Sequence, residues 1–192
     1  MWHILPGFLP FLLWVIPHAD SLQFWMVAMI ACDTTLLVAG GMRWQKCFLR
    51  AGESSILESV LGYAGAILPM ILLFPRQLEL GMTTFAIIAF GDGCATLFGL
   101  LIGGRRLPWN HCKSWAGMLA FLCCGTLMGT LVYWGEARPA VPMATSALVV
   151  AGAVVFAAAI ESLPMKFNDN LRVGLAAGAG LVVMQNWLVG WP

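Results

Sequence analysis

The sequence predicts an all-α fold, a polytopic transmembrane bundle of six or seven helices joined by short loops. Of its 192 residues, 60% are hydrophobic and 10% are charged, whereas soluble domains carry about a quarter charged residues. The mean hydropathy is +0.86, so lipid must take the place of the missing polar surface. No segments of alternating polarity recur along the chain, and helices are therefore favoured over the strands of a membrane barrel.

Seven apolar segments approach the roughly 20 residues that a spanning helix needs. They run near 4–17, 22–39, 55–74, 81–101, 115–134, 141–161 and 171–189, separated by short polar or Pro/Gly-containing breaks. The first segment is short and contains proline, which is why six or seven spans are expected. Together they form a single integral membrane domain over residues 1–192.

Charge and cysteine content exclude other classes of protein. The net charge of +1 offers no basic excess for nucleic acid, and nine Trp with eleven Phe are the opposite of a disordered composition. The six cysteines lack CxxC spacing and are interpreted as small hydrophobes rather than disulfide partners or zinc ligands. A removable signal peptide is not expected, since the apolar N-terminus has no basic region before it.

The distribution of basic residues predicts the orientation in the membrane. With seven spans, three loops on one side hold eight of the ten cations: Arg43, Lys46, Arg50, Arg105, Arg106, Lys113, Lys166 and Arg172. The loops on the other side hold Arg76 and Arg138. The positive-inside rule places the three basic loops, together with any active site on that face, in the cytoplasm. The compact chain favours a prokaryotic plasma membrane.

Small residues recur at four-residue spacing, which lets helix backbones approach closely in lipid. The sets are Gly125 and Gly129; Gly174 and Gly178; and Gly91, Ala95 and Gly99. Gly174 and Gly178 suit a contact within the chain and a contact between two copies of it equally well. The sequence therefore leaves open whether the protein forms a homo-oligomer.

Acidic residues within apolar segments are costly and usually functional. Asp33, Glu58, Asp92 and Glu161 are of this kind. Asp92 is flanked by Gly91 and Gly93 near the middle of the fourth segment, where two glycines would allow the helix to break and a ligand to approach the backbone. The competing interpretation is an acid paired with a cation to fix the bundle.

The loop between the fourth and fifth segments, GGRRLPWNHCKS at 103–114, is dense in cations and hydrogen-bond donors. Glycine amides together with Arg105, Arg106 and Lys113 suit phosphate oxygens. Contact with anionic lipid headgroups explains the same composition. Both interpretations stay open on this loop alone.

The segment at 161–171 favours the phosphate interpretation. Glu161 is followed by Asn168, Asp169 and Asn170, a set of hard oxygen ligands of the kind that Mg²⁺ prefers beside phosphates. An N-cap of the last helix at Asn168 or Asp169 is the alternative role, and the two are compatible. Acids on both sides of a cationic loop predict metal-dependent chemistry on a phosphate.

Three segments in this order, GDG (91–93), RRLPWNHCKSWAG (105–117) and ESLPMKFNDNLRV (161–173), resemble the membrane-bound CTP-dependent lipid-alcohol kinases. That group includes dolichol kinase, phytol kinase and yeast-type diacylglycerol kinase, and it is related to the phosphatidate cytidylyltransferases. The resemblance implies phosphate transfer from CTP to the hydroxyl of a lipid alcohol, with a divalent metal such as Mg²⁺. Membrane lipids, a nucleotide and a phytol- or polyprenol-like alcohol are the expected partners.

The resemblance also implies roles for single residues. Asp92, Lys113 and Asp169 are the expected catalytic residues, and Asp92, Glu161 and Asp169 the expected metal ligands. The expected contacts to nucleotide and phosphate are Gly91, Gly93, Arg105, Arg106, Ser114, Asn168, Asn170 and His3. Asn168 stands where the family frequently has Asp. Two alternative functions stay open: a cytidylyltransferase that makes a CDP-lipid, and a small transporter that uses Asp92.

Overall fold

The computed structural model describes residues 56–165 and 168–191, together with Ile4, Gly7, Phe8, Pro10 and Phe11; of 56–60 it describes the backbone only. The described elements are, in chain order, α1 (Ile56–Leu73), α2 (Leu78–Ala86), a π-helical turn (Ile87–Asp92), α3 (Gly93–Leu101), β1 (Arg106–Leu107), β2 (Asn110–Ser114), α4 (Trp115–Glu136), α5 (Met143–Ser162) and α6 (Asp169–Leu188). The last five predicted segments are therefore helical. Of the first segment the structure describes only the five residues named above. The second segment, Asp33 and the cations at 43–50 lie outside the described residues, as do Lys166 and the side chain of Glu58.

Three stretches of the described chain are long and apolar enough to cross a membrane: Leu78–Leu101, Trp115–Glu136 and Met143–Ser162. A shorter apolar helix runs over Leu61–Leu73. Large apolar side chains such as Leu100, Leu127 and Leu148 are exposed on the outer surface of the bundle. In a soluble protein the outward-facing side chains are largely polar, whereas in this bundle many of them are apolar. The outer surface therefore suits a lipid environment.

Helix α6 lies inside the bundle and packs against α1, α2 and α5, while α4 packs against α5 and the α2–α3 stretch. A side chain added at Gly174 would collide with Ala66 of α1, and one added at Gly178 would meet Met70. This glycine pair therefore serves an internal helix contact. Gly125 and Gly129 likewise face α5, so the predicted role of the small residues in close packing is confirmed.

The helix that carries Asp92 does not break at its glycines, although their presence would allow a break. Asp92 (φ −68, ψ −36) and Gly93 (φ −60, ψ −48) both keep right-handed helical dihedrals. The chain instead widens into the π-helical turn that ends at Asp92, a feature frequent at functional sites. The missing side chains of the two glycines make room for the ring of Phe121 beside Gly91 and for Ile4 beside Gly93.

The fold is mostly helical, as predicted, and the cationic loop adds a short stretch of β-structure to it. Strands β1 and β2 form a two-stranded antiparallel ribbon, in which Arg106 pairs with Ser114 and Leu107 with Asn110. Gly103 and Gly104 precede it with positive φ (62 and 82), a backbone conformation that glycine adopts without a steric cost. Because the strands are two and five residues long, they show no alternating pattern that a sequence could reveal.

The described cysteines, Cys94, Cys112, Cys123 and Cys124, are free thiols.

A second polar cluster, at the end of the bundle opposite the ribbon, was not predicted from the sequence. There Glu79 and Glu136 are buried, and the Tyr133 hydroxyl donates to Gln185 Oε1 at 3.1 Å.

Candidate active site

Lys113 joins two sequence motifs that are far apart in the chain. It lies on β2, and its Nζ is 2.6 Å from Glu161 Oε1 and 3.5 Å from Asp169 Oδ2. Glu161, near the end of α5, is 3% exposed, whereas 41% of the Asp169 side chain at the start of α6 is exposed. The ribbon, the end of α5 and the start of α6 therefore meet at one end of the bundle.

The charge of Lys113 depends on carboxylates from three elements. Burial alone would lower its pKa, but Glu161, Asp92 and Asp169 outweigh burial and raise the pKa above its ordinary 10.5. Lys113 is therefore a cation at neutral pH. Asp92 is 2% exposed and lies at the end of the π-helical turn, close enough to contribute to this shift. The predicted convergence of Asp92, Lys113, Glu161 and Asp169 is thus present in the fold.

A fifth charged residue belongs to the same cluster. Arg172 Nη2 lies 2.8 Å from Asp169 Oδ1, and Nη1 donates to the Leu163 carbonyl at 3.3 Å. Arg172 is 8% exposed, whereas the sequence analysis counted it only as a cytoplasmic loop cation. Its spacing of three residues from Asp169 on a helix was the available signal, because side chains three apart are neighbours on a helix surface.

The ribbon is attached to the end of α5 beside Glu161. Asn110 Nδ2 donates to the Ser162 carbonyl at 3.0 Å, and Trp109 Nε1 donates to Ser162 Oγ at 3.2 Å. Asn110 Oδ1 also accepts from the Cys112 amide at 3.1 Å, which braces the ribbon. Because Asn110 is buried, its bond to the Ser162 carbonyl is shielded from water, and together the three bonds hold the strand that carries Lys113.

Two residues expected to contact the nucleotide cap helices. Ser114 Oγ accepts from the Gly117 amide at 3.2 Å at the start of α4, and Asn168 Oδ1 accepts from the Leu171 amide at 3.1 Å at the start of α6. Each satisfies a helix amide that has no intrahelical partner. Asn170 is buried and lies against α1, since a side chain at Gly62 would contact it.

The remaining predicted contacts lie around this cluster. Arg105 and Arg106 are exposed on the ribbon, and Arg106 Nη1 donates to the Cys112 carbonyl at 3.3 Å. Gly91 and Gly93 are buried against Phe121 and Ile4. His3 lies outside the described residues.

The donor atoms suit a divalent cation that is shared with a phosphate. Within residues 56–165 and 168–191, apart from the undescribed side chains, no three His, Cys, Asp or Glu side chains form a group that would hold a metal. Mg²⁺ in phosphate sites usually takes one or two carboxylates and completes its shell with phosphate oxygens and water. Asp169, which is partly exposed, suits that arrangement, whereas Glu161 is engaged by Lys113 at 2.6 Å. The full expected ligand set, which also includes Asp92, stays a prediction.

The chain is similar to plant proteins whose names describe them as phytol kinases. It is 30% identical over 187 residues to "Phytol kinase 1, chloroplastic" of Arabidopsis thaliana, across 91% of this chain. It is 27% identical over 177 residues to "Probable phytol kinase, chloroplastic" of Zea mays, across 84% of this chain. A "Probable phytol kinase 1, chloroplastic" of Oryza sativa subsp. japonica is 26% identical over 196 residues, across 91%.

These homologues confirm the resemblance that the three motifs indicated, and they are consistent with the CTP-dependent lipid kinase family. The chain spans 62%, 53% and 60% of the length of these three relatives. No family model matches the chain, and no solved structure matches it.

Proposed function

We propose that this homologue of the phytol kinases is itself a membrane-embedded kinase, which transfers the γ-phosphate of CTP to the hydroxyl of a long-chain or isoprenoid lipid alcohol. The observation that carries the proposal is the contact of Lys113 with both Glu161 and Asp169. It joins residues 48 positions apart in the two motifs that suit phosphate and cation binding. The names of the relatives supply the class of acceptor.

Phosphoryl transfer needs positioned charge rather than covalent chemistry by the protein. Lys113 is held in place by Glu161 before any nucleotide arrives, and its longer 3.5 Å contact to Asp169 can be exchanged for a phosphate oxygen. Arg105 and Arg106, exposed on the same ribbon, extend the cationic surface toward the rest of a triphosphate. A divalent cation such as Mg²⁺, when bound through Asp169 with Asp92 or Glu161, would neutralise phosphate charge.

Asp92 is our candidate for the group that accepts the proton of the attacking alcohol. It is buried within a segment that is apolar enough to cross the membrane, and we propose that the hydroxyl of an alcohol whose tail lies in lipid reaches it there. A carboxylate at this position would orient the hydroxyl and take its proton as the bond to phosphorus forms. The exposed apolar side chains around the bundle provide the surface along which such a tail would lie.

We also propose a multi-pass protein with its active site at the cytoplasmic face, which the position of the charged residues supports. The described cations Lys113 and Arg172 lie at one end of the bundle with the ribbon, and Arg138 lies near Glu79 at the other. The basic end is the cytoplasmic one by the positive-inside rule. Nucleotide would then enter from the cytoplasm and the lipid from the membrane.

The test is a transfer assay with purified protein in lipid nanodiscs. CTP or ATP labelled at the γ-phosphate is supplied with phytol, farnesol, a polyprenol or diacylglycerol, and the lipid products are separated. We expect label in an isoprenoid alcohol with CTP as donor, dependent on a divalent cation, and none with an Asp92→Asn variant. Release of pyrophosphate with formation of a CDP-lipid would instead identify a cytidylyltransferase. Absence of nucleotide turnover together with solute uptake into liposomes would identify a transporter.

A further inference from the structure

Arg172 links Asp169 to the end of the helix that carries the other acidic residue beside Lys113, Glu161. Its guanidinium contacts Asp169 Oδ1 at 2.8 Å through Nη2 and the Leu163 carbonyl at 3.3 Å through Nη1. We infer that Arg172 is a positioning residue, which fixes Asp169 relative to Glu161 by tying the start of α6 to the end of α5. This inference rests on the proposed function, since it assigns a role within that site.

The tie spans the connection between the two helices. Leu163 ends α5 in an extended conformation (φ −74, ψ 141), and the last carbonyls of a helix lack intrahelical partners. The Leu163 carbonyl accepts from the Met165 amide at 3.0 Å and also from Arg172 Nη1, while the other terminal nitrogen of Arg172 holds Asp169. The planar guanidinium presents its donors in a fixed fork, so both bonds together fix the position of Asp169 against the end of α5.

Arg172 also determines how Lys113 is shared. Within the described part of the chain, Lys113 and Arg172 are the two cations in ion pairs with Glu161 and Asp169. Arg172 compensates the charge of Asp169 at 2.8 Å, so Lys113 remains on Glu161 at 2.6 Å. Without Arg172, Asp169 would compete with Glu161 for Lys113 or turn toward water, because 41% of its side chain is exposed.

Either change would displace a group that must meet the phosphate. Misplacement by about 1 Å can lower turnover on the order of 100-fold. Arg172 itself is 8% exposed and faces Asp169 and a backbone carbonyl. Its effect therefore acts through the position of Asp169.

The kinetic test compares Arg172→Gln and Arg172→Lys with Arg76→Gln, a matched loss of charge at an exposed residue outside the cluster. We expect Arg172→Gln to lower kcat roughly 10-fold to 100-fold per folded molecule, with KM for the lipid alcohol nearly unchanged. Arg172→Lys should recover only part of kcat, because an ammonium lacks the planar fork of donors that fits both acceptors at once. Equal kcat for Arg172→Gln and Arg76→Gln, or a change confined to KM, would overturn the inference.

A second measurement does not depend on activity. Thermal unfolding is followed for Arg172→Gln, Asp169→Asn and the double variant in the same detergent. If Arg172 holds Asp169, the Tm losses are non-additive, and the double variant is more stable than the sum of the single changes predicts. Additive losses would overturn the tie. A wild type that phosphorylates no lipid alcohol, together with non-additive losses, would contradict the proposed function but leave the tie in place.

Discussion

Replacing Lys113 with methionine should destabilise the protein more than replacing its partner Glu161 with glutamine. Lys113→Met leaves Glu161, which is 3% exposed, as a buried carboxylate without its 2.6 Å partner. Removing one partner of a buried ion pair costs about 3–5 kcal/mol. Glu161→Gln leaves Lys113 with 27% of its side chain exposed and with Asp169 at 3.5 Å, so the loss should be about 1–2 kcal/mol.

Thermal unfolding in detergent measures this asymmetry. At about 2–4 °C per kcal/mol for a chain of this size, Lys113→Met should lower Tm by roughly 6–20 °C. Glu161→Gln should lower it by roughly 2–8 °C. The double variant should recover part of the loss, because no charge is then left without a partner, and the exposed Arg76→Met serves as the control. A Glu161→Gln protein as unstable as Lys113→Met, or an additive double variant, would refute the reasoning.

Three further outcomes are expected. Because nearby carboxylates raise the pKa of Lys113 above 10.5, its contribution to stability is complete below that value and is lost as pH rises through the raised pKa. The Tm difference between wild type and Lys113→Met should therefore stay constant from about pH 7 to about pH 10 and shrink above it. Gly174→Leu should lower Tm more than Gly152→Leu, since position 174 abuts the α1 helix whereas position 152 faces a flexible methionine. Asp92→Asn and Asp169→Asn should each abolish turnover in the γ-labelled CTP assay without unfolding the protein, and near-wild-type rates in either would contradict their assignment.

The sequence was sufficient to predict most of the helices and four of the five members of the charged cluster. Apolar segments of helical length and an uneven distribution of cations can both be read directly from the sequence. In a membrane these two properties largely determine which segments span the bilayer and which loops face the cytoplasm. Charge is so rare in this chain that Asp92, Glu161 and Asp169 stand out against it. The motifs that contain these acids and Lys113 were predicted to lie at the same membrane face, so the four residues were expected to lie close together.

What the sequence did not reveal depends on contacts between elements. Arg172 looked like a loop cation because the last helix was expected to begin near 171, whereas α6 begins at Asp169 and turns this residue inward. The capping role of Ser114 was not predicted, because a hydroxyl group in a loop rich in cations suits a contact with phosphate as well as it suits a helix cap. The ribbon at 106–114 has too few residues to show a period of its own.

The π-helical turn at Ile87–Asp92 changes the phase of the helix that contains it. Each residue of an α-helix advances by about 100°, so one extra residue in a turn rotates everything after it by about that angle. Residues 79–86 are all buried, whereas Leu100 and Leu101 face outward, and a single helical wheel cannot describe both halves. Deleting one residue of the turn would leave charge and hydropathy nearly unchanged and yet rotate Asp92 away from Lys113. Sequence alignments in which a one-residue gap at this position counts as neutral would therefore pair chains whose carboxylate faces the lysine with chains whose carboxylate does not.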